Sequence, residues 1–170
     1  MSTSAQVLIG ADDAQSVQMG SGFGVRFMVE GAQSHGAFAL VEHPIGPRQL
    51  AAPRHTHSRE DEYTYVLEGE VGVAVGDDAV TARPGELVFK PRGIPHAVWN
   101  TSDQPARMLE IISPAGFERY YQELAALVPD GGMQDTEALT RLWIKYGLDM
   151  DVESVGELTQ RHGVSFGPAP

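Results

Sequence analysis

From Gln6 to Ile112 short apolar runs alternate with turn signals, and this punctuation constrains the fold more than any other feature of the chain. Strands are predicted over Phe23–Glu30, Ala37–His43, Arg54–His57, Tyr63–Leu67, Glu70–Val75, Ala79–Arg83, Leu87–Lys90, His96–Asn100 and Arg107–Ile112. Glu68-Gly69, Gly76-Asp77-Asp78, Pro84-Gly85 and Pro91-Arg92-Gly93 separate several of them with residues that favour hairpins and tight turns. So many short strands at this spacing predict a sandwich or a double-sheet jelly roll.

After Pro114 the pattern changes period. Phe117, Tyr120, Tyr121, Leu124 and Leu127 recur at spacings of three and four and form one helical stripe, which Pro129-Asp130-Gly131-Gly132 should end. A second helix is predicted over Asp135–Tyr146, a third over Val152–Arg161, and a frayed tail over Gly163–Pro170. At 170 residues, with no internal repeat or low-complexity linker, the chain fits one domain. Residues 1–22 form a partly extended N-terminal segment, 23–113 the β-barrel, and 114–170 a helical extension packed on it.

A formal charge of -11 with no basic stripe argues against a nucleic-acid partner. Without cysteine, thiolate metal ligands, cysteine nucleophiles and disulfides are excluded. No apolar run reaches the length of a membrane span, and the first twenty residues lack the pattern of a secretory signal, so a cytoplasmic location is expected.

The candidate chemistry lies in four residues. His55 and His57 are two apart, so a strand would present both imidazoles on one face with Thr56 opposite. Glu62 opens the next strand, and His96 follows a proline at the start of a later one. Each alone is commonplace: an H-x-H pair is more often superficial, Glu60-Asp61-Glu62 resembles a solvated acidic corner, and a lone histidine is usually structural. Together they offer three neutral imidazoles and a carboxylate, a donor set suited to one divalent transition metal: Mn, Fe, Co, Ni, Cu or Zn.

The order and spacing of these residues resemble the cupin superfamily. Its first motif is matched by His55-Thr56-His57, Glu62 and Gly69; Gly46, nine residues before His55, stands further upstream than the motif's own leading glycine. Its second motif is matched by Gly85, Pro91, Gly93, His96 and Asn100, and the fifteen residues Glu70 to Pro84 separate the two. The resemblance implies an all-β double-stranded β-helix, the cupin jelly-roll barrel, with C-terminal helices packed on it. It assigns the metal to His55, His57, Glu62 and His96, turn-forming roles to Gly69, Gly85, Pro91 and Gly93, and a structural role to Asn100, which shares a face with His96.

Within the superfamily the chain is similar to small single-domain proteins of the quercetin-dioxygenase-like kind. That similarity implies a metal-dependent dioxygenase acting on small enolic or phenolic compounds, with Glu62 as the catalytic proton acceptor and a homodimeric state. A non-redox isomerase, cyclase or decarboxylase, or a non-catalytic binding module, is the alternative. His35, His43 and His162 lack partners at ligand spacing and are expected to be exposed or at the core edge. Tyr63 and Tyr65 should face away from the metal, and either Phe38 and Leu40 or Ala39 and Val41 should line the cavity. Phe117, Tyr120, Tyr121 and Trp143 read as core, with a cap over the barrel mouth as the alternative.

Overall fold

The computed structural model describes residues 8–10, 13–19, 22–128 and 135–167. One sheet runs β1 (Ser16–Gln18), β2 (Gly24–Val29), β3 (Ala39–Ile45), β10 (Ala106–Ser113), β5 (Asp61–Glu68) and β8 (Leu87–Lys90). The other runs β11 (Leu148–Asp151), β4 (Gln49–His57), β9 (His96–Asn100), β6 (Val71–Val75) and β7 (Asp78–Ala82). Every pairing between these strands is antiparallel. Three helices complete the described chain: α1 (Glu118–Leu127), α2 (Thr136–Tyr146) and α3 (Ser154–His162).

Strand alternation sorts the side chains between the barrel interior and its surface. In β10, Ala106, Met108, Glu110 and Ile112 are buried while the residues between them are partly exposed. Their partners on β3 are Ile45, His43, Val41 and Ala39, all buried. Ala39 and Val41 therefore line the interior, and Phe38 is 38% exposed. One end of the barrel is filled by Ile45, Val66, Val71, Val73, Val98 and Met108. Toward the other end, Phe117, Tyr120, Leu142, Tyr146 and Leu148 from the C-terminal region pack with Val25, Phe27, Val41 and Ile112. The polar residues of the site lie among these apolar groups.

β9 is buried on both faces because α3 covers its outer side, where Ala97 and Trp99 pack with Leu50, Leu158 and Val164. Gly72 belongs to this contact, since a Cβ there would strike the Trp99 indole.

Three elements differ from the sequence expectation. β4 starts at Gln49 rather than Arg54. Its pairing with β9 slips on both sides of Ala52, so six steps along β4 answer four along β9. Pro53, with no N–H to give the ladder, lies in this bulged stretch. β11 falls where the sequence predicts only a connection between two helices; it pairs with β4 directly beside His55 and His57. β1, paired with β2, has too few residues to declare a period. The Pro129–Gly132 turn and residues 168–170 lie outside the described residues, but the start of the tail is not frayed: Val164 is buried, Ser165 N–H donates to the Arg48 carbonyl at 2.7 Å, and Leu50 N–H donates to the Ser165 carbonyl at 2.8 Å. Among those described, no helix is long and apolar enough to cross a membrane.

A chain ended at Ser113 would lose β11 from β4, the helix over Trp99, and the aromatic residues at the barrel mouth. Such a fragment should expose apolar surface and aggregate, and it should bind metal poorly. A soluble monomeric fragment with the full-length melting temperature would contradict this.

Candidate metal centre

β4, β5 and β9 bring the four predicted ligands together. His55 faces His96 across the β4–β9 ladder. The imidazole centroids lie 5.1 Å apart for His55–His57, 4.3 Å for His55–His96 and 5.3 Å for His57–His96. One donor atom from each of His55, His57, Glu62 and His96 falls within 4.8 Å of the others. The turn before β9 is fixed by Gly93, whose φ of 77° favours glycine and whose N–H donates to the His57 carbonyl at 2.8 Å. The loop leading to His96 is thus tied to the strand carrying two other ligands.

For two of the three rings the backbone also fixes which nitrogen is offered. His55 Nδ1 lies 2.8 Å from the Pro53 carbonyl, and His96 Nδ1 lies 3.2 Å from the Ile94 carbonyl. A carbonyl only accepts, so each Nδ1 carries the proton and each Nε2 presents a lone pair. His57 Nδ1 lies 3.6 Å from Glu60 Oε2, beyond hydrogen-bonding distance, and neither atom has a hydrogen-bond partner among the described residues. Burial lowers the basicity of His55 and His96, so both stay neutral in the ordinary range.

The fit to a cation follows from what these lone pairs face. His96 Nε2 lies 3.1 Å from Glu62 Oε2, and His57 Nε2 lies 3.4 Å from Glu62 Oε1. Yet both Nε2 atoms are buried without a hydrogen bond. Acceptors converging on acceptors are unfavourable in a dry interior unless a cation lies between them. Glu60 and Glu62 are buried beside the imidazoles and Glu110 is buried against Lys90, the one buried ammonium among the described residues, so added positive charge suits the cluster. The donor set fits one divalent transition metal.

Lys90, Glu110, Thr64 and His43 belong to the same interior, and the sequence pattern does not single them out as site residues. Lys90 Nζ sits 2.9 Å from Glu62 Oε2 and 2.8 Å from Glu110 Oε2, and Thr64 Oγ1 donates to Glu110 at 2.9 Å. Burial alone would raise Glu62; the Lys90 ammonium and the nearby imidazoles override it and hold the carboxyl well below its ordinary value. Glu110 is pushed up to about 7 by burial and by Glu62, against the pull of Lys90 and Thr64. Strand phase is the available signal: Lys90 pairs with Glu62, and Glu110 with Thr64.

His43 corrects the expectation of an exposed or core-edge residue: it is 1% exposed, stacked on Phe23, with Nδ1 3.0 Å from the Gly24 carbonyl. His162 stacks on Trp99, and His35 is exposed. Tyr63 and Tyr65 turn outward as expected. Asn100 Nδ2 donates to the Gly46 and Gln104 carbonyls at 3.0 and 2.8 Å, which makes it a loop anchor.

A cavity of about 120 Å³ reaches this centre, with His55, Glu62, Lys90 and His43 in its lining. Phe117 meets His57 edge-on at 4.3 Å. Phe117, Tyr120, Tyr121 and Trp143 form part of the cavity wall, so the aromatic stripe serves as both core and cap.

Residues 42–112 match the Cupin domain family. Over 60 residues the chain is 37% identical to the tetracenomycin polyketide synthase protein TcmJ of Streptomyces glaucescens, covering 35% of this chain and 40% of that protein. The chain spans less than half the length of the curated relatives it matches. An RmlC-like cupin from Shewanella frigidimarina superposes with a TM-score of 0.56 at 18% identity, covering 68% of this chain and 96% of that one. The polyketide cyclase RemF from Streptomyces resistomycificus gives 0.55 at 24% identity, covering 64% and 79%. The fold is the cupin double-stranded β-helix with C-terminal helices.

Two measurements follow. Purified protein should carry about one divalent transition metal per chain, and His55→Ala with His96→Ala should abolish tight binding and lower the melting temperature of the loaded protein; full occupancy in that double variant would place the metal elsewhere. The metal-free protein should also carry a signature of His43, which burial lowers from 6.5 to about 4. As pH falls through that window the unfolded chain takes up the proton first, and this residue's share of stability falls by roughly 3 kcal/mol. Glu110 acts in the opposite sense between about 7 and its ordinary 4.5. Denaturation of wild type and His43→Phe across pH 7 to 4 isolates the difference, and parallel curves would contradict it.

Proposed function

Taking a cupin barrel with a three-imidazole, one-carboxylate centre as the premise, we propose that this protein is a metal-dependent enzyme acting on small enolic or phenolic molecules. The observation that carries the reading is the convergence, in one largely apolar cavity, of that donor set with a buried proton-handling network. A bound divalent ion would supply Lewis acidity toward a substrate oxygen. Glu62 accepts the enolic or phenolic proton. Lys90 keeps Glu62 ionised beforehand, and Glu110, held near 7, stands next along the same network. The aromatic wall seats the ring and restricts water.

Two reaction classes fit this chemistry. A non-redox proton-transfer reaction such as ring closure is favoured by the buried Glu62–Lys90–Glu110 network and by the names of two similar proteins, a polyketide synthase component and a polyketide cyclase. Dioxygenation, expected from the sequence resemblance, uses the same proton removal and consumes oxygen besides.

We further place a homodimer contact on the outer face of β5 and β8. Leu87 and Phe89 are 54% and 47% exposed there, and Tyr65 is 38% exposed beside them, a large apolar area at a sheet edge. Wild type should sediment as a dimer and Leu87→Glu with Phe89→Glu as a monomer; a monomeric wild type would exclude this contact.

In metal-loaded protein Glu62→Gln should lower turnover of an enolic or phenolic substrate by roughly a hundredfold to ten-thousandfold while retaining much of the metal. Normal turnover in that variant would reduce Glu62 to a plain ligand. An oxygen electrode run beside the assay separates the classes: uptake matching product indicates dioxygenation, and product without uptake indicates the non-redox reaction.

A further inference from the structure

The His43 ring is held on three sides by groups that leave one atom free. Phe23 stacks on it at 4.8 Å and 19°, and Tyr121 meets it edge-on at 5.3 Å and 71°. Nδ1 donates its proton to the Gly24 carbonyl at 3.0 Å, which leaves Nε2 as a lone pair. No hydrogen-bond partner for Nε2 occurs among the described residues, and His43 lines the same cavity as His55 and Glu62. It is neither one of the four candidate metal ligands nor part of the Lys90–Glu110 network. An acceptor on a fixed ring that is 1% exposed, open to the cavity and unused by the protein, is what a site presents to a donor on its ligand.

We propose that His43 Nε2 accepts a hydrogen bond from a second hydroxyl of the substrate, so that the cavity selects dihydroxylated aromatic or enolic rings over monohydroxylated ones. The inference rests on the enolic or phenolic reading of the site and names the feature of the substrate that His43 recognises. Burial keeps the imidazole neutral, so the acceptor persists at ordinary pH. The cavity of about 120 Å³ is near the size of one of about 150 Å³ that holds benzene, so one ring is seated fully. A pocket built to hydrogen-bond a hydroxyl rejects the analogue lacking it, because its own buried acceptor is then left unpaired.

The test compares phenol, resorcinol and hydroquinone binding to full-length, zinc-loaded protein by calorimetry. The latter two place a second hydroxyl across the ring, too far round to share one ion with the first. At least one of them should bind about fivefold to tenfold more tightly than phenol, the worth of one hydrogen bond. His43→Phe keeps the ring stacking and should abolish that preference, so that neither dihydroxy probe binds more tightly than phenol, while zinc content is unchanged. A measurement needing no variant accompanies it: the His43 Nε2 nitrogen NMR resonance should shift with the preferred dihydroxy probe and not with phenol. A preference that survives His43→Phe, or a resonance unmoved by the preferred probe, overturns the role of His43 alone. Equal binding of all three probes also overturns it and leaves the phenolic reading standing. Failure of all three to bind overturns both.

Discussion

A buried carboxylate between an ammonium and an imidazole governs the interior of this barrel. Glu62 lies 2.9 Å from Lys90 Nζ and 3.1 Å from His96 Nε2, and only 2% of it is exposed. A charge in that position is strongly unfavourable without close partners, so the surrounding strands must supply them. β8 supplies Lys90, β10 supplies Glu110 to hold Lys90, and β5 supplies both Glu62 and Thr64. The same requirement leaves the imidazole lone pairs of β4 and β9 pointing at carboxylate oxygen, an arrangement that a divalent cation resolves. The candidate metal site and the Lys90–Glu110 pair meet at Glu62 and form one buried cluster.

The C-terminal region is coupled to this cluster through contact. Phe117 lies against His57, and β11 extends the sheet beside the strand that carries His55 and His57. α3 clamps the outer face of β9 over Ala97 and Trp99, on the same buried strand that opens with His96. Packing energy from the helices thus reaches strands that hold ligands, and the cavity wall is made from the residues that bury the helices.

Much of this is legible in the sequence, for identifiable reasons. The ligands can be read because H-x-H on a strand, a following glutamate and a later histidine behind P-x-G form a fixed pattern, and β8 and β9 are bounded correctly because proline and glycine flank them. Lys90 and Glu110 escape such a reading because a charged residue on a short strand is normally solvent-facing. In β8 the usual rule inverts, with Leu87 and Phe89 outside and Lys90 inside. His43 escapes it because its partners, the Gly24 carbonyl and the rings of Phe23 and Tyr121, are assembled only by the fold. The early start of β4 is hidden by Pro53, which weakens the strand pattern without ending the strand.

The central claim is that three Nε2 atoms and the Glu62 carboxylate hold one ion. An anomalous-scattering map from crystals of the metal-loaded protein tests it directly. The account predicts one peak per chain at roughly 2.0–2.2 Å from Nε2 of His55, His57 and His96 and from a Glu62 oxygen. A peak bound through Nδ1, or a fully loaded crystal with its ion outside this cluster, would contradict it.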